Sequence, residues 1–187
     1  MYNKLIKIAL LAVAIGALSN PIAASANDTD GNRQETIGFA IEEMVCAPAS
    51  EVWDAVFTPQ GMKQLGMAQS SIDYRVGGML MRRVGEGGKL GDDQTIVTRI
   101  ISIDYGRMIS LVPVTTPKIY GKFFPEAVST YYYTPIGENQ TLVRVATGNF
   151  PSTDEARALL GLSKDGTRKA LDTLRLKYLD RCTKDTK

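Results

Sequence analysis

The sequence predicts an α+β domain in which a curved antiparallel sheet of about six or seven strands wraps one long C-terminal helix. Three observations carry this reading. Runs of alternating apolar and polar residues recur at close spacing between Ile72 and Thr147, joined by short Gly-, Asn- and Asp-containing turns. That spacing marks an antiparallel meander, not βαβ units. After Ser152 the apolar period changes from two to that of a helix. Two short helical stretches stand between the first strand and the meander.

The N-terminus reads as a secretory signal peptide over residues 1–26. Lys4 and Lys7 form its positive start, Ile8–Leu18 its apolar run, and Ala24-Ser25-Ala26 its small-residue cleavage pattern. The run is shorter than the roughly 20 residues a membrane span needs. An uncleaved anchor is the alternative, but Asn20-Pro21 interrupts the helix just before the expected cut. Cleavage after Ala26 leaves 187 − 26 = 161 residues, one domain of ordinary size. Residues 27–34 are polar and read as a disordered leader, 35–182 as the folded domain and 183–187 as a tail.

From Glu35 to Ala47, Ile37, Phe39 and Ile41 alternate with polar residues, and Met44 and Cys46 continue the strand after one phase slip. Pro48 suits a helix start, and Val52, Trp53, Val56 and Phe57 share one face of a short helix that Thr58-Pro59 stops. Gln60–Leu65 is a second short helix. Strands are expected at Ile72–Val76, Met79–Gly85, Thr95–Ile103, Met108–Val112, Val128–Thr134 and Thr141–Thr147. Pro113–Ala127, with Tyr120, Phe123 and Phe124, is a long connection of the kind that either covers the core or gates a cavity. Ser152, Thr153 and Asp154 suit a helix start, Gly161 is a candidate break, and Ala170, Leu171, Leu174 and Tyr178 form an apolar stripe. An up-and-down barrel is the competing architecture; it leaves that stripe without a partner.

Composition narrows the chemistry. The full chain has 22 basic and 20 acidic side chains; residues 1–26 hold two lysines and no acid, so the remainder balances at 20 against 20. A neutral domain gives no electrostatic case for nucleic acid or an anionic membrane. There is no histidine, which excludes Ser-His-Asp and Cys-His sites and removes the commonest metal ligand. No metal site or cofactor is indicated. The two cysteines, Cys46 and Cys182, read either as a disulfide of an oxidising compartment or as two free thiols.

Four segments resemble the SRPBCC (START-like) superfamily. Cys46–Trp53 (CAPASEVW) is similar to its A-P-x-x-x-V-W start. Ala68–Gly78 (AQSSIDYRVGG) resembles the A-x-x-x-I-D-x-R-x-G-G segment of the branch named for homologues of the heat-shock-protein ATPase activator. Thr141–Val145 (TLVRV) is similar to its T-x-h-x-h strand, and Gly166–Leu179 to its closing G-W-x-x-x-L helix, with Thr167 where that pattern has tryptophan and Asn149 where a glycine follows the last strand. The resemblance spans about Thr36 to Leu179. It implies a helix-grip fold whose sheet and helix enclose a cavity for lipid-, sterol- or polyketide-like ligands. It also implies that the short helices support the far end of the last helix, which brings Cys46 and Cys182 together as a disulfide.

An exported binder of a small apolar ligand is the function expected, with a protein-interaction module of the envelope and a cyclase- or hydrolase-like enzyme as alternatives. Candidate lining residues are Trp53, Met62, Tyr74, Met81, Tyr132 and Leu174, with Tyr120 and Phe123 on the long connection; each also reads as plain core. No catalytic residue is assigned. Glu43, Asp73, Arg75 and several tyrosines are the available acid–base groups, and Asp73 and Arg75, two apart on a strand, read as a solvent-facing ion pair opposite Ile72, Tyr74 and Val76.

Overall fold

The computed structural model describes residues 35–118 and 124–182. The signal peptide, leader and tail expected from the sequence, and Tyr120 and Phe123, lie outside the described residues. Strand β1 (Thr36–Val45) leads into helices α1 (Ala49–Phe57) and α2 (Pro59–Gln64). Strands β2 (Met67–Ile72), β3 (Met79–Val84), β4 (Thr95–Asp104), β5 (Met108–Thr115), β6 (Val128–Gly137) and β7 (Gln140–Pro151) follow, then helices α3 (Asp154–Lys177) and α4 (Leu179–Cys182). All pairings are antiparallel, in the order β1-β7-β6-β5-β4-β3-β2. The curved sheet with its long C-terminal helix is the helix-grip arrangement. Because β1 and β2 are opposite edges, α1 and α2 must carry the chain from one side of the sheet to the other.

Local chemistry explains the element ends. Thr58 caps α2 by accepting the Gly61 N–H at 3.0 Å, and Pro59 occupies the first turn, where no donor is missed. The Thr153 hydroxyl accepts the Ala156 N–H at 3.3 Å and starts α3. Helix α3 runs unbroken through Gly161, which does not interrupt it as expected; one glycine costs only about 1 kcal/mol against a helix held by packing at both ends.

Three strand readings are corrected. The slip in β1 falls between Ile37 and Phe39, not after Ile41, so Ile41 and Val45 face inward and Met44 outward. The strand expected at Ile72–Val76 lies earlier, at Met67–Ile72. Residues 73–78 instead form a turn that needs glycine twice: Gly77 has φ of 83°, and a Cβ on Gly78 would strike the carbonyl of Asp73. Tyr74 and Val76 are therefore exposed, at 39% and 63%. Strand β5 continues to Thr115, taking residues 113–115 from the long connection.

The main core packs α1 and the C-terminal half of α3 on the sheet, with Trp53, Phe57, Ile100, Ile109, Val143, Leu171 and Leu174 buried. Trp53 meets Phe57 and Tyr133 with ring centroids 4.9 and 5.4 Å apart. A second cluster gathers Phe124, Ala127, Phe150 and Ala156. The far end of α3 is fastened several times over. Cys46 and Cys182 form the disulfide that the resemblance implies, Cα atoms 5.3 Å apart. Arg181 meets Glu51 at 2.7 Å, and Arg175 meets Glu43 of β1 at 3.4 Å.

Candidate functional site

The inward positions of α3 explain why space is left beneath it. Ala156 at one end and Leu171, Leu174 and Tyr178 at the other are buried. Between them the helix presents Leu159, Leu162, Ser163, Gly166, Thr167 and Ala170, at the three- and four-residue spacing of one face. From Ser163 onward these are small side chains. They do not reach the sheet, and a cavity of about 390 Å³ separates the two core clusters. That size falls at the lower end of ordinary small-molecule sites, about 300–1,000 Å³. Leu162, Gly166 and Ala170 are exposed, so the cavity opens to solvent along the helix.

The floor comes from alternate residues of the concave face: Ile96 and Thr98 of β4, Leu111 and Pro113 of β5, Ser129 and Tyr131 of β6, and Thr147 of β7. Met67, Phe124, Ala127 and Phe150 close the sides. Three of the floor's hydroxyls are engaged within the protein. Ser129 Oγ and Thr147 Oγ1 are hydrogen-bonded at 3.0 Å, and Thr98 Oγ1 donates to the Leu80 carbonyl at 3.4 Å. The one ionised group on the wall among the described residues is Arg82 of β3.

The lining residues expected from sequence lie elsewhere. Trp53, Met62 and Leu174 are at most 2% exposed and belong to the packed core. Tyr74 sits in the β2–β3 turn, where its hydroxyl donates to the Phe57 carbonyl at 2.6 Å. Burial, with Tyr105 and Asp54 nearby, pushes that hydroxyl up to about 12. Tyr132, 41% exposed, points out from the convex face, and so does Met81, half-buried below Gly91. The cavity instead receives the neighbours of these two, Tyr131 and Arg82. The signal that finds them is strand phase: fully buried Leu80 and Tyr133 fix which alternate residues face inward.

The acid–base groups are engaged elsewhere. Asp73 and Arg75 pair at 2.7 Å in solvent, within the turn and not on a strand. Glu43 is held between Arg175 and Arg168. Arg83, beside Arg82 on the opposite face, meets Asp92 at 2.9 Å, and this guanidinium holds the Asp92 carboxyl below its usual range. Burial pushes the Tyr133 hydroxyl well up. Among the described residues no cluster of three metal-ligating side chains occurs, and no helix is long and apolar enough to cross a membrane.

No family model matches the chain, and no curated protein matches it. Solved structures do. The Zhui aromatase/cyclase of a Streptomyces species is similar at 16% identity and a TM-score of 0.58, covering 81% of this chain and 99% of that one. Norcoclaurine synthase from Thalictrum flavum is similar at 16% identity and 0.54, covering 80% and 98%. The Aha1 dimer from Colwellia psychrerythraea is similar at 14% identity and 0.55, covering 74% and 96%. At these identities the shared property is the fold. That fold extends across an aromatase/cyclase, a synthase and Aha1 alike, so it singles out none of them.

Proposed function

We propose that this chain is an exported carrier that holds a small, largely apolar molecule between its sheet and the middle of α3. The cavity is the observation that carries the reading: about 390 Å³, walled mainly by apolar and aromatic side chains, and open along one helix. Export is supported by the leader-like residues 1–26 and is compatible with the Cys46–Cys182 disulfide. The folded domain is taken as residues 35–182. Burying ten methylenes gains about 8 kcal/mol gross at ~0.8 per CH₂, and association costs several kcal/mol of it. Binding in the micromolar range or weaker follows for a ligand without further contacts.

Native mass spectrometry of the protein purified from its source cells, before and after organic extraction, tests this. The expected result is an adduct of small-molecule mass that extraction removes, on a chain lacking residues 1–26. A bare protein that also fails to take up any apolar probe overturns the carrier reading. A chain retaining its first 26 residues overturns the signal-peptide assignment.

A further inference from the structure

We propose that the molecule held here is an amphiphile with a carboxylate head group, and that Arg82 receives that carboxylate. This deepens the carrier reading and rests on it. Arg82 shares the concave face with Leu80, two residues before it and fully buried. Its cross-strand partners are Ser70 on β2 and Ile96 on β4, neither of which offers a charge. The Nε of Arg82 is withdrawn from solvent and donates to no acceptor among the described residues. Among the described residues, no ion pair includes Arg82 and no carboxylate lines the cavity.

The adjacent residue shows the contrast. Arg83 turns to the other face and is paired there, with Asp92 at 2.9 Å and the Gly85 carbonyl at 2.6 Å. One arginine of the pair has its counter-charge within the fold, and the other has none among the described residues. Arg82 is half-buried, and of its guanidinium it is the Nε that is withdrawn from water; a buried donor without an acceptor is unfavourable, and an anion's oxygens would complete it. A carboxylate matches the planar donor fork of arginine in both geometry and charge. Ile96, Leu111, Tyr131 and Phe124 then form the apolar wall against which the rest of the molecule lies. Among the described lining residues, one cation and no anion set the sign: the cavity favours an anionic head over a neutral one and disfavours a cationic one.

Calorimetric titration of the chain, as cells produce it, with decanoate and 1-decanol tests the assignment, at a pH where the acid is ionised. The two probes share their chain length and differ in the head group. The wild-type protein is expected to bind decanoate at least about tenfold more tightly than 1-decanol. Arg82→Met is expected to erase that preference while 1-decanol still binds, which also shows that the variant is folded. Arg82→Lys is expected to keep part of the preference, since it retains the charge but loses the fork. Equal affinities in the wild type, or a preference that survives Arg82→Met, overturn the inference and leave the carrier reading standing. If neither probe binds the wild-type protein, both fall.

Discussion

Filling the cavity from the helix side separates stability from binding. Thr167 is half-buried on the inward face of α3 and lines the cavity, at the position where the superfamily pattern carries tryptophan. The substitution Thr167→Trp places an indole in that space. An apolar cavity of about 150 Å³ takes up benzene, so the 390 Å³ here has room for the larger ring. A buried aromatic side chain removes 150–250 Å² from water, a gross gain of about 4–6 kcal/mol at ~25 cal/mol/Å². The threonine surface already covered and the ordering of the new side chain reduce this to about 1–3 kcal/mol. Helix propensity is close to neutral for the exchange. Thermal unfolding is therefore expected to move upward by roughly 2–4 °C per kcal/mol for a domain of this size. Binding of an apolar probe, followed by calorimetry or displacement of an environment-sensitive dye, is expected to disappear. Higher stability with binding intact would show that the ligand sits elsewhere. Lower stability would show that the space beneath Thr167 does not accept the ring.

Gly166→Ala tests the same wall more gently: nothing lies within 4 Å of the added Cβ, so the variant is expected to gain up to about 1 kcal/mol in thermal unfolding and still bind. Replacing both Cys46 and Cys182 by serine opens a cross-link between residues 136 apart; the chain-entropy value is about 5 kcal/mol, and denaturant titration is expected to show a loss of a few kcal/mol. Tyr133→Phe removes a buried hydroxyl with no hydrogen-bond partner among the described residues, so stability is expected to hold or rise by about 1 kcal/mol; a clear loss would place a bound water at that hydroxyl. Alkaline pH probes Tyr74. Its folded value of about 12 exceeds the ~10 of an unfolded tyrosine, so its contribution is complete below about pH 10 and is lost as pH rises through about 12. Tyr74→Phe is expected to flatten that part of the stability profile; an unchanged slope refutes the assignment.

The order of elements was legible because each left a periodic trace long enough to read. The stripe Leu171, Leu174 and Tyr178 marked the helix that closes the fold, and the proline-started stretch through Trp53 and Phe57 marked α1. The cavity wall was much less legible. Strand assignment fixes that side chains alternate, but not which set faces inward, and three consecutive tyrosines at 131–133 read equally well in either phase. The cavity takes Tyr131 and Arg82, half a strand period from the expected Tyr132 and Met81. Trp53, Met62 and Leu174 misled for a different reason. Large apolar residues suggest a lining, but they fill space and so mark where a cavity is not. The residues that create the cavity are small, at Ser163, Gly166, Thr167 and Ala170, and small residues on a helix carry no signal of their own.

The same contrast locates the cavity along α3. Its C-terminal end is fixed by the disulfide, by Arg181 on Glu51, by Arg175 on Glu43 and by buried Leu171 and Leu174. Its N-terminal end rests on Phe124 and Phe150 through Ala156. The intervening stretch carries neither large apolar anchors nor ties of that number. A helix fastened at both ends can leave its middle unpacked at a cost the ends absorb, whereas the same void beneath a helix end would fray it. Among the described residues, the one charged side chain on the cavity wall is Arg82, on a strand of the sheet and not on the helix. The proposed ligand, entering through the opening at Leu162, Gly166 and Ala170, would meet a side chain whose backbone is held by β-pairing on both sides, with β2 and β4. Adaptable packing above and a rigid anchor below suit the selection of a head group more than of a particular apolar body.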